Sequence, residues 1–227
     1  MFQRVNGISL YYKKTGDGPS LLLLHGNGED HHIFDPLAAK LSAHFTVYAP
    51  DSRNHGQSEK NADCSYEAMT ADLYEFIKAL CSGPVHIAGF SDGAIIALLL
   101  AMRHPGMINR LVLMGINLSP RDFLPEEYRK IQLEYEETGD PLLQLMLTEP
   151  NIRPKQLHAV TAPCLLTCAE HDVFSPRAFQ TVQRHLAAPL LTFSGHTHDS
   201  YVTGTDLLYP HLLNFLTDRP LFPDMPM

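Results

Sequence analysis

The stretch FSGHTHDSYV, residues 193–202, sets His196 and His198 two residues apart, with Asp199 directly after the second. Two chemistries suit that pattern. Imidazole and carboxylate side chains close together can hold a metal ion, or one imidazole can serve as general base to a nucleophile elsewhere in the chain. A second stretch offers the nucleophile. GFSDG, residues 89–93, puts Ser91 between an apolar run, VHIAGF, and the apolar stretch DGAIIALLLAM. A serine between strand and helix in a G-x-S-x-G setting sits on a tight turn that pushes its hydroxyl outward. The glycines on either side let the two elements pass closely. The helix N-terminus turns its unpaired N–H groups and positive dipole end toward any oxyanion formed beside the serine.

Elements that could position these residues are legible along the chain. ISLYYKK alternates after Asn6-Gly7, the signature of a hairpin turn. SLLLLHG (20–26), FTVYAPD (45–51), VHIAGFS (85–91), LVLMGIN (111–117), PCLLTCAEHD (163–172) and PLLTFSG (189–195) are short, nearly continuous apolar runs. Such runs suit strands buried on both faces of a parallel sheet. Between them, Met69, Leu73, Phe76, Ile77 and Leu80 recur at helical spacing. The segment from Asp92 is apolar nearly all round and stops at His104-Pro105-Gly106. RAFQTVQRHLA and the stretch around LLNFLTD supply two more helices, with Pro210 either in the first turn of the last helix or kinking it. Strand and helix alternating in this way predict an α/β fold with a doubly wound, mostly parallel sheet.

One segment breaks the alternation. Residues 118–156 contain no strand pattern, and two helical pieces fit at 125–138 and 141–148, split by Gly139-Asp140-Pro141. That length exceeds what one crossover helix needs. A single domain over 1–227 with a short helical lid at 118–156 is expected. Leu124, Leu142, Leu143, Leu145, Met146 and Leu147 are expected to line an apolar pocket beneath it.

Composition removes several function classes. A net charge of −8 with no cationic cluster disfavours phosphate-backbone binding. No apolar stretch approaches the roughly 20 residues that span a bilayer, and no signal-like apolar core opens the chain. A cytoplasmic protein is expected, acting on a small molecule and inserting in no membrane, with its oligomeric state open. Cys64, Cys81, Cys164 and Cys168 form no C-x-x-C pair and read as plain thiols.

These motifs together resemble the α/β-hydrolase fold superfamily, in its small soluble serine esterase-like branch, over nearly the whole chain. GDGPSLLLLHGNGED resembles the family's strand ending in His-Gly, which implies that the backbone N–H of Asn27 is an oxyanion donor, with Gly26 beside the pocket. YAPDSRNHGQS resembles a D-x-R-x-x-G-x-S loop, in which Asp51 and Arg53 are expected to tie the loop down. GFSDG implies Ser91 as nucleophile and the N–H of Asp92 as the second oxyanion donor. The Asp92 carboxylate is left with two roles open, a bystander or a receptor for a substrate cation. TAPCLLTCAEHDVFSP resembles the stretch that carries the acid, Asp172, with Ala169 where the family usually has glycine.

The resemblance also bears on the two histidines. The Gly-His dipeptide favours His196 as base, whereas register favours His198. Phe215 follows His198 by 17 residues and His196 by 19, and the family spacing fits the shorter. The H-x-S-Y beginning at His198 points the same way. His198 is the expected base, and His196 a neighbour lining the pocket. A metal site is not expected, because Asp199 follows His198 immediately. The implied activity is hydrolysis of a small to medium carboxylic ester by Ser91, Asp172 and His198 without a cofactor. An acyltransferase, an amide or C–C hydrolase using the same residues, and a non-catalytic ligand-binding protein on this fold are the alternatives.

Overall fold

The computed structural model describes residues 1–220; the last seven residues of the expected domain lie outside it. Eight strands form one sheet: β1 (Phe2–Val5), β2 (Ile8–Thr15), β3 (Ser20–Leu24), β4 (Thr46–Pro50), β5 (Val85–Phe90), β6 (Ile108–Met114), β7 (Cys164–His171) and β8 (Leu190–Thr197). Their spatial order is β1-β2-β4-β3-β5-β6-β7-β8. The hairpin β1–β2 turns at Asn6-Gly7, both at positive φ, and β2 runs antiparallel to β4. From β4 onward every pairing is parallel.

The continuous apolar runs have the reason anticipated for them. Leu22 and Leu24 of β3, Ile87 of β5 and Leu111 and Leu113 of β6 pack on one face. There they meet α2 (Tyr66–Leu80), α3 (Asp92–Arg103) and α6 (Pro176–Leu186). Leu21, Leu23, Ala88, Phe90, Val112 and Met114 point to the other face, against α1 (Asp35–Leu41) and α7 (Tyr209–Leu216). Because strand side chains alternate with a period of two, a strand covered on both sides must be apolar at every position. Pro210 lies in the first turn of α7, where its missing N–H is not needed.

The crossover from β6 to β7 carries α4 (Pro125–Thr138) and α5 (Pro141–Thr148), joined at Gly139 in the left-handed conformation. No residue of α4 is buried, so this helix lies on the molecule rather than in it. The chain leaves β3 and β5 in opposite directions across the sheet. That makes their C-terminal ends a topological switch point, where α/β sheets open a crevice. No helix among the described residues is long and apolar enough to cross a membrane.

Loops at this crevice are held by buried polar groups. One Asp51 oxygen accepts both the backbone and the ring Nδ1–H of His31, at 2.9 and 2.8 Å, and the other accepts the N–H of Gln57. Arg53 makes a bidentate pair with buried Asp72, at 2.7 and 2.8 Å. His25 donates from Nδ1 to the carbonyl of Gly26 and accepts the N–H of Ser52 at Nε2. Only the neutral imidazole can do both. Burial, and then the neighbouring His55, lowers its pKa to about 4.

Two stability measurements follow. Asp72→Ala strands the Arg53 guanidinium in the interior and should cost about 3–5 kcal/mol in urea unfolding at neutral pH. For His25, the unfolded chain takes up a proton near 6.5 while the folded chain resists it down to about 4. The unfolded state therefore binds more protons in that interval. Stability from this group is full above about pH 6.5 and falls as pH drops toward 4. His25→Asn should flatten that part of the stability profile, and an unchanged slope would count against it.

Candidate active site

Ser91 follows the last residue of β5 and is the N-cap of α3. Its backbone is held at φ 52°, ψ −114°, a conformation that L-residues seldom adopt. Its N–H is bonded to the carbonyl of Met114 on β6 at 2.8 Å. The two flanking glycines are sterically required. A Cβ on Gly89 would collide with the backbone of Gly93, and a Cβ on Gly93 with the backbone of Leu24 in β3. Strand, helix and neighbouring strand thus meet backbone to backbone beneath the serine.

Asp172 follows β7 and His198 follows β8, so both arrive at the same sheet edge as Ser91. His198 Nδ1 lies 2.8 Å from Asp172 Oδ1, and His198 Nε2 lies 3.2 Å from Ser91 Oγ. A carboxylate only accepts, so Nδ1 carries the proton and the Nε2 lone pair faces the serine hydroxyl. Asp172 is fixed in turn by the N–H groups of Ala169 and Phe174, at 3.1 and 3.3 Å. The imidazole lies between Phe90 and Phe174, with ring centroids 4.9 and 5.2 Å away. Its far side is set by Gly115 at φ 58°, where a Cβ would strike the ring.

Both ring nitrogens of His198 are engaged in this chain of contacts. His196 instead stands at the end of β8, its Nδ1 3.1 Å from Ser200 Oγ, and it is absent from the wall of the cavity that contains Ser91. The expectation that His196 lines the pocket is corrected. Because β8 extends through Thr197, residues 196 and 198 do not share one loop environment.

That cavity has a volume of about 460 Å³ and is bounded by Gly26, Asn27, Phe90, Ser91, Phe174 and His198 below. Phe123, Ile131, Leu142, Leu143 and Met146 close it from the helical crossover. Three of the six apolar residues expected there are in place. Leu145 is instead buried in the core, and Leu124 and Leu147 face other cavities. An eight-residue helix can present only one face to the cavity; Leu142, Leu143 and Met146 share it, and Leu145 and Leu147 turn elsewhere.

Asn27 lies on the turn after β3, and its backbone N–H has no protein acceptor among the described residues. Asp92 is the first residue of α3, where an N–H is free of intrahelical bonds. A Cβ on Gly26 would meet the Glu29 carboxylate at 2.7 Å and crowd the Ser91 Cβ at 3.1 Å. The carboxylate of Asp92 is buried. One oxygen accepts the Tyr66 hydroxyl at 2.6 Å and the other the side-chain amide of Asn27 at 2.9 Å. Burial pushes its pKa up, against those two hydrogen bonds. Each oxygen keeps a second lone pair beside the donor it already has, so these two bonds orient the carboxylate without saturating it.

Two residues of the site carry no motif. Tyr66 is reached only through the packing of α2 on α3. Glu29 accepts the N–H of Gly26 at 2.9 Å and the hydroxyl of Thr203 at 3.2 Å, and burial raises its pKa. Its position three residues after Gly26 was the one sequence signal for it.

Comparison with known proteins places the chain in a family. The family described as alpha/beta hydrolase fold matches residues 19–144. An uncharacterised protein of Mycobacterium tuberculosis is 32% identical over 153 residues, 67% of this chain, and the chain spans 45% of that relative's length. The human serine hydrolase BPHL is 31% identical over 205 residues, covering 76% of this chain and 70% of its own. In overall shape the chain is similar to an enol-lactonase from Burkholderia xenovorans, with a TM-score of 0.80, 21% identity and 96% and 100% of the two chains covered. It is also similar to a meta-cleavage product hydrolase from Pseudomonas fluorescens, with a TM-score of 0.77, 18% identity and 93% and 95% covered. The chain belongs to the α/β-hydrolase fold family.

Proposed function

We propose that the chain is a serine hydrolase acting on small to medium carboxylic esters, with Ser91 as nucleophile, His198 as base and Asp172 as its orienting acid. The observation that carries this reading is the unbroken hydrogen-bond chain from Asp172 through His198 to Ser91 Oγ at the wall of a cavity. Ser91 Oγ attacks the carbonyl carbon while His198 Nε2 takes its proton. The same imidazole then returns that proton to the leaving alcohol, and water repeats the cycle on the acyl-enzyme. Asp172 holds the tautomer and stabilises the imidazolium. The N–H groups of Asn27 and Asp92 receive the oxyanion; one such donor is typically worth about 10²–10³ in rate.

The cavity volume argues for a small acyl or alcohol group. At about 460 Å³ it lies toward the lower end of ligand pockets, which span roughly 300–1,000 Å³. Its charge argues for sign selectivity. Glu29, Glu127, Glu134, Asp140 and Asp199 lie on its wall, and no Lys or Arg is among the described residues that line it. Of these carboxylates only Glu127 has a cationic partner among the described residues, Lys130 at 2.7 Å.

Ser91→Ala should abolish ester hydrolysis and covalent labelling by a fluorophosphonate, with a loss of order 10⁶ in turnover. His198→Ala should fall nearly as far, because residues of one such unit do not contribute additively. His196→Ala should retain most activity, and activity in both forms that retain His198 should survive chelators. A dead His196 variant beside an active His198 variant would overturn the assignment. Among esters of equal length, one bearing a quaternary ammonium should exceed one bearing a free carboxylate by roughly tenfold in kcat/KM at low salt, with the gap shrinking as salt screens it. Equal rates at low salt would remove charge from the account, and faster cleavage of long-chain esters below their micelle concentration would remove size.

A further inference from the structure

The buried hydrogen bonds around Asp92 connect three parts of the molecule that the proposed chemistry would otherwise treat separately. Asn27 Nδ2 has two hydrogens. One goes to Asp92 Oδ2 at 2.9 Å and the other to the carbonyl of Leu142, in the first turn of α5, at 3.2 Å. Both partners only accept, so the orientation of the amide is set by its surroundings. Asp92 Oδ1 takes the Tyr66 hydroxyl at 2.6 Å, in the range of a charge-assisted bond. The backbone N–H of Tyr66 in turn reaches Glu149 Oε2, just past the other end of α5, at 3.3 Å. Helix α5 is therefore fastened at both ends to the same network. One fastening passes through the residue expected to give the first oxyanion N–H, and the network's centre is the residue expected to give the second.

Resting on the serine-hydrolase reading above, we propose that the side chains of Asn27, Asp92 and Tyr66 are positioning residues that couple the seating of α5 to the geometry of the oxyanion hole. With α5 in place, the Asn27 amide is pinned between Asp92 and the Leu142 carbonyl, and the Asn27 backbone N–H is held at a fixed angle to that of Asp92. With α5 lifted, one of the two ties on Asn27 is lost and the turn Gly26-Asn27-Gly28 loses its register. Glu29 still holds the Gly26 end of the turn, with its carboxylate on the Gly26 N–H at 2.9 Å and its own N–H on the Gly26 carbonyl at 3.4 Å, so the freedom falls on Asn27 and on Gly28 at φ 69°. The cover that completes the cavity wall and the donors that stabilise charge are then assembled in one event. The rate of the chemical step depends on the cover even for a substrate too small to touch it.

The test uses Asn27→Ala, Tyr66→Phe and the exchange Asn27→Asp/Asp92→Asn, assayed with a small acetate ester and with a fluorophosphonate probe. A parent that neither turns over the ester nor labels at Ser91 overturns the hydrolase reading and this inference with it. In an active parent, Asn27→Ala keeps the backbone N–H but removes both ties. Its kcat should fall about 10–100-fold, less than the loss of a whole donor. KM for the small ester should stay within about threefold, since only the charge-developed state uses the hole. Tyr66→Phe, a buried change of one hydroxyl, should lower kcat in the same direction, and the double variant should lose less than the product of the two, because both act through Asp92. The exchange restores an amide–carboxylate pair and an acceptor for Tyr66, but sets a carboxylate against the Leu142 carbonyl. It should remain as slow as Asn27→Ala. Recovery of the parental kcat in the exchange overturns the coupling to α5. An unchanged kcat in Asn27→Ala, or a change in KM alone, overturns the positioning role. If Asn27→Ala does not fold, Tyr66→Phe decides by the same kcat and KM criterion.

Discussion

The close backbone contact of β5, α3 and β3 at Gly89 and Gly93 is the constraint on which the site depends. Side chains normally hold a helix away from a sheet, and here the two glycines remove that spacing at the point where the chain reverses. The reversal holds Ser91 at positive φ, at a cost of order 1–3 kcal/mol for a residue with a side chain. The surrounding core is what maintains it: β5 is buried at every position, and α3 is buried along most of its length. Without that packing the strained turn would relax, and the hydroxyl would leave the line that ends on His198.

The same contact determines where the other groups must come from. With the serine above the C-terminal end of β5, partners can reach it only from the ends of parallel strands nearby. Asp172 and His198 come from β7 and β8, two and three strands away from β5, yet they approach it because each is carried back by structure at its own end. Asp172 is folded under by the N–H groups of Ala169 and Phe174, and His198 is pressed between Phe90 and Phe174 in a gap that Gly115 leaves open. The imidazole is therefore oriented by one charge and positioned by apolar contact, and the two act on different degrees of freedom.

How much of this was legible in the sequence follows from the range of each interaction. The strands were readable because burial on both faces leaves a continuous apolar run, and Pro210 could be placed in either of only two positions. The elbow was readable because its steric demand falls on two glycines only four residues apart in the chain, Gly89 and Gly93. Register pointed to His198 over His196, and in the structure β8 continues through Thr197, so the residue beyond it is the one that turns toward Ser91. The cavity wall was half readable. Apolar residues in α5 were identified, but which of them face inward depends on how that helix is rotated on the sheet, and the pattern PLLQLMLT does not specify a rotation. Tyr66 was out of reach, because its hydroxyl meets Asp92 only through the packing of two helices.

A carboxylate beside a site that must stabilise negative charge needs a physical account, and Asp92 is such a case. Its charge opposes an oxyanion a few ångströms away, so a bare buried Asp92 would slow the reaction that the proposed mechanism requires. Three features reduce that penalty. The carboxylate sits at the N-terminus of α3, where the helix dipole favours a negative group. Tyr66 keeps its own proton, since burial and the neighbouring Asp92 raise its pKa well above the usual value, and it donates that proton to Oδ1. Asn27 donates to Oδ2, so the negative charge is drawn toward two donors and away from the cavity. The remaining repulsion is offset by position: the carboxylate that weakens the field at the hole is also the acceptor that fixes the Asn27 side chain, and through it the turn that carries the first donor. An isosteric amide at position 92 would ease the field, but it could keep the Asn27 bond only by turning its oxygen to Asn27 and its NH2 to Tyr66, which reverses the Tyr66 bond and gives up both charge-assisted contacts.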